Sequence, residues 1–273
     1  MSHSATPPAF SGHSPGNPPG APIAPVFFGR DAQVVACDLL GKVIRHEVGG
    51  FVLMAAIVET EAYYLEEKAS HASLGYTEKR KPLFMPPGTI YMYYARGGDS
   101  FNVSCAGEGN AVLVKAGVPF PFDLEAAAES GAAPSGENAA IAEMRRRNPL
   151  PSGKRRPLER LCSGQTLLCR ALGLRVPIWS GIAVGTPPLS LLDVGYRPAS
   201  VVRTTRLGIP KDRDGHLPYR FVDAAFARQA TKNPYSPQPG RGGKTRKALP
   251  REARELAVPA GVETVDWANL LQR

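Results

Sequence analysis

The stretch Ile57-Val58-Glu59-Thr60-Glu61-Ala62-Tyr63 closes an apolar run that begins at Phe51, then delivers two carboxylates and an aromatic ring within five residues. Such a run reads as a strand, whose side chains alternate between faces. Glu59, Glu61 and Tyr63 are then expected on one face, with Val58, Thr60 and Ala62 on the other. An acid placed where a buried strand emerges is costly unless it is exposed, paired or functional. The stretch is therefore either a solvated strand end or part of a site.

Working outward, Lys42–His46 reads as the partner strand, joined to Phe51–Val58 by Glu47-Val48-Gly49-Gly50, a hairpin with Gly-Gly in its turn. Before it, Val34, Val35, Cys37, Leu39 and Leu40 recur at helical spacing, and Gly41 stands where a helix ends. After it, Tyr64–Pro87 is an irregular polar loop carrying His71 and the cluster Lys79-Arg80-Lys81. Pro86-Pro87-Gly88 turns the chain into the strand Thr89–Tyr94, with Tyr91 and Tyr93 on one face. Phe101–Cys105 and Ala111–Ala116 form another strand pair. Ala139–Arg147 reads as a helix, as does Leu158–Leu174 unless it starts only at Ser163 as its N-cap. Ile182–Val184, Ser200–Arg203 and Tyr219–Val222 complete the strands. The pattern predicts a mixed α/β (α+β) fold, one compact domain over residues 26–230 around a mainly antiparallel sheet with flanking helices. Residues 1–25, rich in Pro, Gly, Ser and Ala, are expected to be a disordered tail. Residues 231–273 are expected to be a basic, largely flexible one, with a short helix at Asp266–Leu271.

The chain has 273 residues, 43% of them hydrophobic, enough for a full core. It has no apolar stretch long enough to span a membrane and no leader-like start. Four cysteines (Cys37, Cys105, Cys162, Cys169) are too sparse for a disulfide framework. A reducing, cytoplasmic, monomeric protein without structural metal is expected. The 33 Lys and Arg against 24 Asp and Glu leave a net charge of +9, which favours a polyanionic partner, nucleic acid first. The motifs of serine hydrolases, P-loop enzymes, zincins and dinucleotide-binding folds are all missing. What remains is a set of carboxylates, tyrosines, His71 and a basic surface. Such a set supports hydrolysis by general-base catalysis with no cofactor; a non-catalytic basic nucleic-acid-binding module is the alternative.

The quoted stretch, followed by His71, resembles the alkyladenine (methylpurine, 3-methyladenine) DNA glycosylase family. The resemblance continues through Phe84-Met85-x-Pro87-Gly88-Thr89-Ile90-Tyr91-x-Tyr93, Asn102-Val103-Ser104, Leu161-Cys162-Ser163-Gly164 and Arg206-Leu207-Gly208-Ile209. It implies a curved antiparallel sheet and an enzyme that flips alkylated or deaminated purines out of duplex DNA. These include 3-methyladenine and 7-methylguanine, with hypoxanthine and ethenoadenine as further candidates. The enzyme then hydrolyses the N-glycosidic bond and leaves an abasic site; extrusion is needed because that bond is out of reach inside the stack. Position by position, the resemblance makes Glu61 the base that activates water, with Glu59 as its rival. It makes Tyr63, His71 and Tyr93 the walls of the base pocket and Asn102 a residue that disfavours the amine of normal guanine. Lys115 stands where the family usually has an Arg that helps place water and phosphate, and Leu207 where a backbone carbonyl holds the water. The family's aromatic wedge for the vacated gap has no direct match, so Arg96 and Tyr94 compete for that role.

Overall fold

The computed structural model describes residues 20–95, 97–120, 138–231 and 263–265. Among these, ten strands form one sheet: β1 (Ala21–Pro22), β2 (Val43–Val48), β3 (Phe51–Tyr63), β4 (Ile90–Ala95), β5 (Gly98–Ser104), β6 (Ala111–Phe120), β7 (Leu189–Asp193), β8 (Val201–Thr204), β9 (Arg220–Asp223) and β10 (Glu263–Val265). The helices are α1 (Ala32–Asp38), α2 (Ala139–Arg147), α3 (Gln165–Leu172) and the single turn α4 (Val176–Trp179). Every strand pairing is antiparallel, in the order β1-β7-β2-β3-β6-β5-β4, and β9 leaves this path at β3 to carry β8 and β10. The sheet curls, because β3 takes β2 along its first half and β9 along its second while β6 follows its other edge.

Local chemistry explains the elements. Asp31 caps α1 by accepting the Gln33 and Val34 amides. Gly49 and Gly50 both take positive φ (61° and 79°), which the tight β2–β3 turn requires. The main core lies between one face of the sheet and the helices: Val35 of α1, Met144 of α2 and Leu168 of α3 pack on Leu53, Ala55 and Ile57 of β3. A second cluster, with Val43, Ala56, Val58, Val118 and Phe226, covers part of the opposite face.

One irregularity decides which way the carboxylates point. Ile57 pairs with Gly117 and Thr60 with Val114, but Glu59 pairs with Ala116 in between, out of step on both sides. The bulge inverts the alternation of β3. Leu53, Ala55 and Ile57 face the main core; beyond it Ala62 does so, and Thr60 hydrogen-bonds the Ala36 carbonyl of α1. Glu59, Glu61 and Tyr63 therefore share a face as the alternation predicts, but Val58 lies on their side and not with Thr60 and Ala62. Gly117 allows the close approach, since a Cβ there would meet the Ala56 carbonyl oxygen at 2.7 Å.

Four further differences from the sequence pattern have physical causes. Order begins before Pro25: Ala21–Pro22 adds a strand to β7 through backbone bonds alone, and Ile23 is buried behind it. Helix α3 starts after Gly164, which takes the N-cap position without a side-chain cap, while the Ser163 hydroxyl is turned away to donate to the Gln229 carbonyl. Ile182–Val184 makes a single bridge, Thr89 to Ala183, where a strand was expected. Finally, β7, β10 and α4 lie outside the expected elements, and β10 pairs Glu263–Val265, from the segment expected to be flexible, with β8. Residues 1–19 and the expected helix at Asp266–Leu271 lie outside the described residues. No helix among the described residues is long and apolar enough to cross a membrane.

Candidate active site

Glu61 is wholly buried near the end of β3. Its Oε2 accepts the Tyr63 hydroxyl at 2.8 Å and the Lys115 ammonium at 3.2 Å, and the Leu207 amide stands 3.5 Å from Oε1. Burial pushes its carboxyl up, but Lys115, the Tyr63 hydroxyl and Arg220 together outweigh that and hold it below the ordinary carboxylate value. The group is thus an ionised carboxylate out of contact with bulk water. Burial, with Glu61 beside it, raises the Tyr63 phenol well above its usual range, so it stays a hydrogen-bond donor.

Tyr63 also lines a cleft of about 170 Å³, together with His71, Tyr91, Tyr93, Leu83 and Ile209. The His71 and Tyr93 rings lie 4.3 Å apart, and His71 Nδ1 is 2.9 Å from the Tyr91 hydroxyl. Burial, reinforced by the charges of Arg80 and Arg213, lowers the His71 pKa, so the imidazole is neutral at neutral pH. Tyr91 and Tyr93 stack with centroids 5.6 Å apart, as residues two apart on one strand face should.

Of the residues singled out in the sequence, Tyr63, His71 and Tyr93 line the cleft, and Lys115 and Leu207 meet at Glu61, Leu207 through its amide and not through the carbonyl expected to hold the water. Asn102 is buried on β5 outside that lining; its amide donates to the Tyr91 carbonyl at 3.0 Å. Tyr94 is 70% exposed at the end of β4, and Arg96 lies outside the described residues. Glu59 is as buried as Glu61 but turns to Arg220, 2.7 Å away, and to the Thr231 amide at 2.7 Å.

Sequence reasoning missed three cations. Arg206 holds Glu67 through two buried hydrogen bonds, one of 2.7 Å, donates to the Ala62 carbonyl at 2.9 Å and covers the Tyr63 ring at 4.5 Å. Arg213 lines the cleft and donates to the Lys68 carbonyl, while Arg220 serves Glu59. Arg206 opens a motif already quoted, so its position was marked but its role was not. Among the described residues no group of three or more His, Cys, Asp or Glu is placed to hold a metal ion.

A buried, charged carboxylate behind an aromatic slot, on a chain of net charge +9, suits an enzyme that takes up a flat ring attached to a polyanion. Comparison with known proteins names that enzyme class. Residues 26–226 match the methylpurine-DNA glycosylase family. A Pseudomonas aeruginosa (strain UCBPP-PA14) protein is 56% identical over 217 residues, covering 80% of this chain and 86% of its own. One from Pseudomonas syringae pv. tomato is 59% identical over 208 residues (76% and 88%), and one from Koribacter versatilis is 32% identical over 210 (75% and 90%). All three are provisionally named 3-methyladenine DNA glycosylases. The chain belongs to the methylpurine-DNA glycosylase family and is a DNA glycosylase, with DNA as its substrate.

Proposed function

We propose that the enzyme removes cationic N-alkylated purines, 3-methyladenine and 7-methylguanine foremost, from duplex DNA. The damaged nucleotide turns out of the stack, and its base enters the cleft between Tyr63, His71 and Tyr93. Electron-poor alkylated rings gain a cation–π contribution from tyrosine faces that normal purines lack. A neutral His71 suits the same ligand, since an imidazolium there would repel a cationic base. Glu61 then takes a proton from water as the water attacks C1′, and its charge stabilises the oxocarbenium character of the transition state. The departing alkylpurine is already cationic, so the leaving base needs no acid. Lys115 and the backbone at Leu207 frame the water's position. A lysine there offers one point charge where a guanidinium would offer a fork, so the water is held less rigidly.

The observation that carries this reading is that Glu61 is fully buried and yet accepts hydrogen bonds from the Lys115 ammonium and the Tyr63 hydroxyl, and Tyr63 also lines the cleft. The test incubates the protein with duplexes holding 7-methylguanine, 3-methyladenine, hypoxanthine or ethenoadenine, then cleaves abasic sites with alkali. Breaks are expected first with the methylated purines. Equal rates on undamaged guanine would defeat the proposed selectivity.

A further inference from the structure

Glu59 and Glu61 stand two residues apart on one face of β3, and both side chains are wholly buried. Two like charges so placed oppose each other's ionisation, and one of the pair ordinarily keeps a proton. Here each has its own partner. Arg220 Nε donates to Glu59 Oε1 and the Thr231 amide to Oε2, both at 2.7 Å, while Arg220 Nη2 donates to the Thr231 carbonyl at 2.8 Å. Both oxygens of Glu59 therefore accept, which is how a carboxylate is held. Arg220 is itself fully buried, and β9 pairs it in register with Glu61 and not with Glu59. One guanidinium thus binds the rear carboxylate and lies across the ladder from the front one, yet lines no part of the cleft.

We propose that Arg220 is a positioning residue for the glycosylase reaction: its buried guanidinium holds Glu59 and, lying across the ladder from Glu61, also acts on that carboxylate directly, so that Glu61 keeps its negative charge. The inference rests on the reading of Glu61 as the base. The groups that face Glu61 are Lys115 from β6, Tyr63 and Glu59 from β3, Arg220 from β9, and Arg206 with the Leu207 amide from the segment after β8. Glu59 faces Arg220, the Thr231 amide, Glu61 and Lys115. Burial pushes Glu59 up, against Arg220 and with Glu61 adding to the rise, whereas Glu61 is held below its ordinary value. The two acids are thereby made unequal, and Arg220 acts on both.

A purely structural clip between β3 and β9 would lower stability when broken but would not move the pH at which the base loses its charge. The experiment measures single-turnover excision of 7-methylguanine, a base already cationic, against pH, with spontaneous loss subtracted. Removing Arg220 alone strands a buried carboxylate and risks unfolding. The informative pair is therefore Glu59→Gln against Glu59→Gln/Arg220→Gln, in which the second change removes the Arg220 charge with no buried carboxylate left at position 59. The acid limb of the double variant is expected about one pH unit above that of the single one, which makes it about tenfold slower at a pH on that limb. Arg220→Lys, which keeps charge without the fork, should retain the wild-type limb with a rate reduced a few-fold. Coincident limbs in the first pair, or a shift in Arg220→Lys as large as in the double variant, would overturn the proposal. Glu61→Gln run alongside separates the two levels: if it still excises, the reading of Glu61 as the base fails, whatever Arg220 does.

Discussion

The two walls of the cleft are built on different principles. One is sheet: Tyr63 on β3, Tyr91 and Tyr93 on β4, and Ala111 on β6 all sit in continuous antiparallel ladders. The other is loop: Ser70 and His71 on one side, Gly208 to Pro210 and Arg213 on the other. No ladder joins these loops. Arg206 ties to Glu67, Arg213 donates to the Lys68 carbonyl at 2.9 Å, and the Lys68 amide donates to Asp214 at 2.8 Å. The groups proposed to do chemistry, Glu61 and Tyr63, belong to the rigid wall, and much of the shape offered to the base belongs to the stapled one. Sheet-built groups keep their geometry through local opening, whereas loops open at lower free energy. Variants on the two sides should therefore fail in different ways, the first in rate and the second in stability and substrate affinity.

The sharpest contrast comes from Glu61→Gln. The amide keeps the shape and loses the proton acceptor, so single-turnover excision should fall by about 10²–10⁴-fold, the range for loss of a general base. Binding to lesion-containing duplex, followed by gel shift, should persist. If the variant instead lost binding with its rate per bound complex intact, the sheet wall would be a shape element and the comparison would collapse.

On the loop wall the largest effect should follow Glu67→Gln, which leaves the Arg206 guanidinium buried without its carboxylate. Breaking one side of a buried pair costs about 3–5 kcal/mol, to be read from urea unfolding. Excision at saturating enzyme should fall far less than in Glu61→Gln, with the loss concentrated in the concentration needed to reach it.

Cleft residues on both walls were legible in the sequence, and the long-range ion pairs that hold them were not. Alternation and the Gly-Gly turn gave the β2–β3 hairpin, and the glycosylase resemblance marked Tyr63, His71 and Tyr93, because those signals are local. Arg206 and Glu67 lie 139 residues apart and Arg220 and Glu59 161 apart, so nothing in the spacing of either announces the other. The bulge in β3 was equally hidden. No Gly or Pro marks Ile57–Thr60; the glycine that admits it, Gly117, lies on the partner strand. The second acid illustrates the cost: Glu59 and Glu61 look interchangeable until β9 delivers Arg220 to one of them.

A smaller effect tests how far the sheet wall tunes its own carboxylate. Tyr63→Phe removes the 2.8 Å hydrogen bond to Glu61 and keeps the ring. A hydrogen bond to a charged group is worth about 1.5–3 kcal/mol, so the Glu61 pKa should climb by about one to two units. Because that pKa is depressed in the native protein, the stability it contributes is present above the ordinary value of 4.5 and is lost as pH falls through the lower folded value. In the variant that loss, and the loss of base activity, should both begin at higher pH. Excision near pH 7 should drop only a few-fold, with the deficit growing toward pH 5. A deficit independent of pH would assign Tyr63 to stacking alone.

The smallest expected effect probes one staple of the loop wall. Asp214 is the non-glycine residue at positive φ (57°) among the described residues, and its carboxylate accepts the Lys68 amide. The left-handed conformation costs an ordinary residue about 1–2 kcal/mol, less for Asp or Asn, and the hydrogen bond returns about 1 kcal/mol. Asp214→Asn keeps both the tolerance and an acceptor oxygen and should unfold like the parent. Asp214→Gly loses the bond but relieves the backbone, so its stability should stay within about 1 kcal/mol while the enzyme concentration for half-saturation rises a few-fold as the loop loosens. Asp214→Ala loses the bond and retains the strain, and should be the least stable of the three. The order matters more than the size: if alanine and glycine proved equal, backbone conformation at this corner would not be what shapes the loop-built wall.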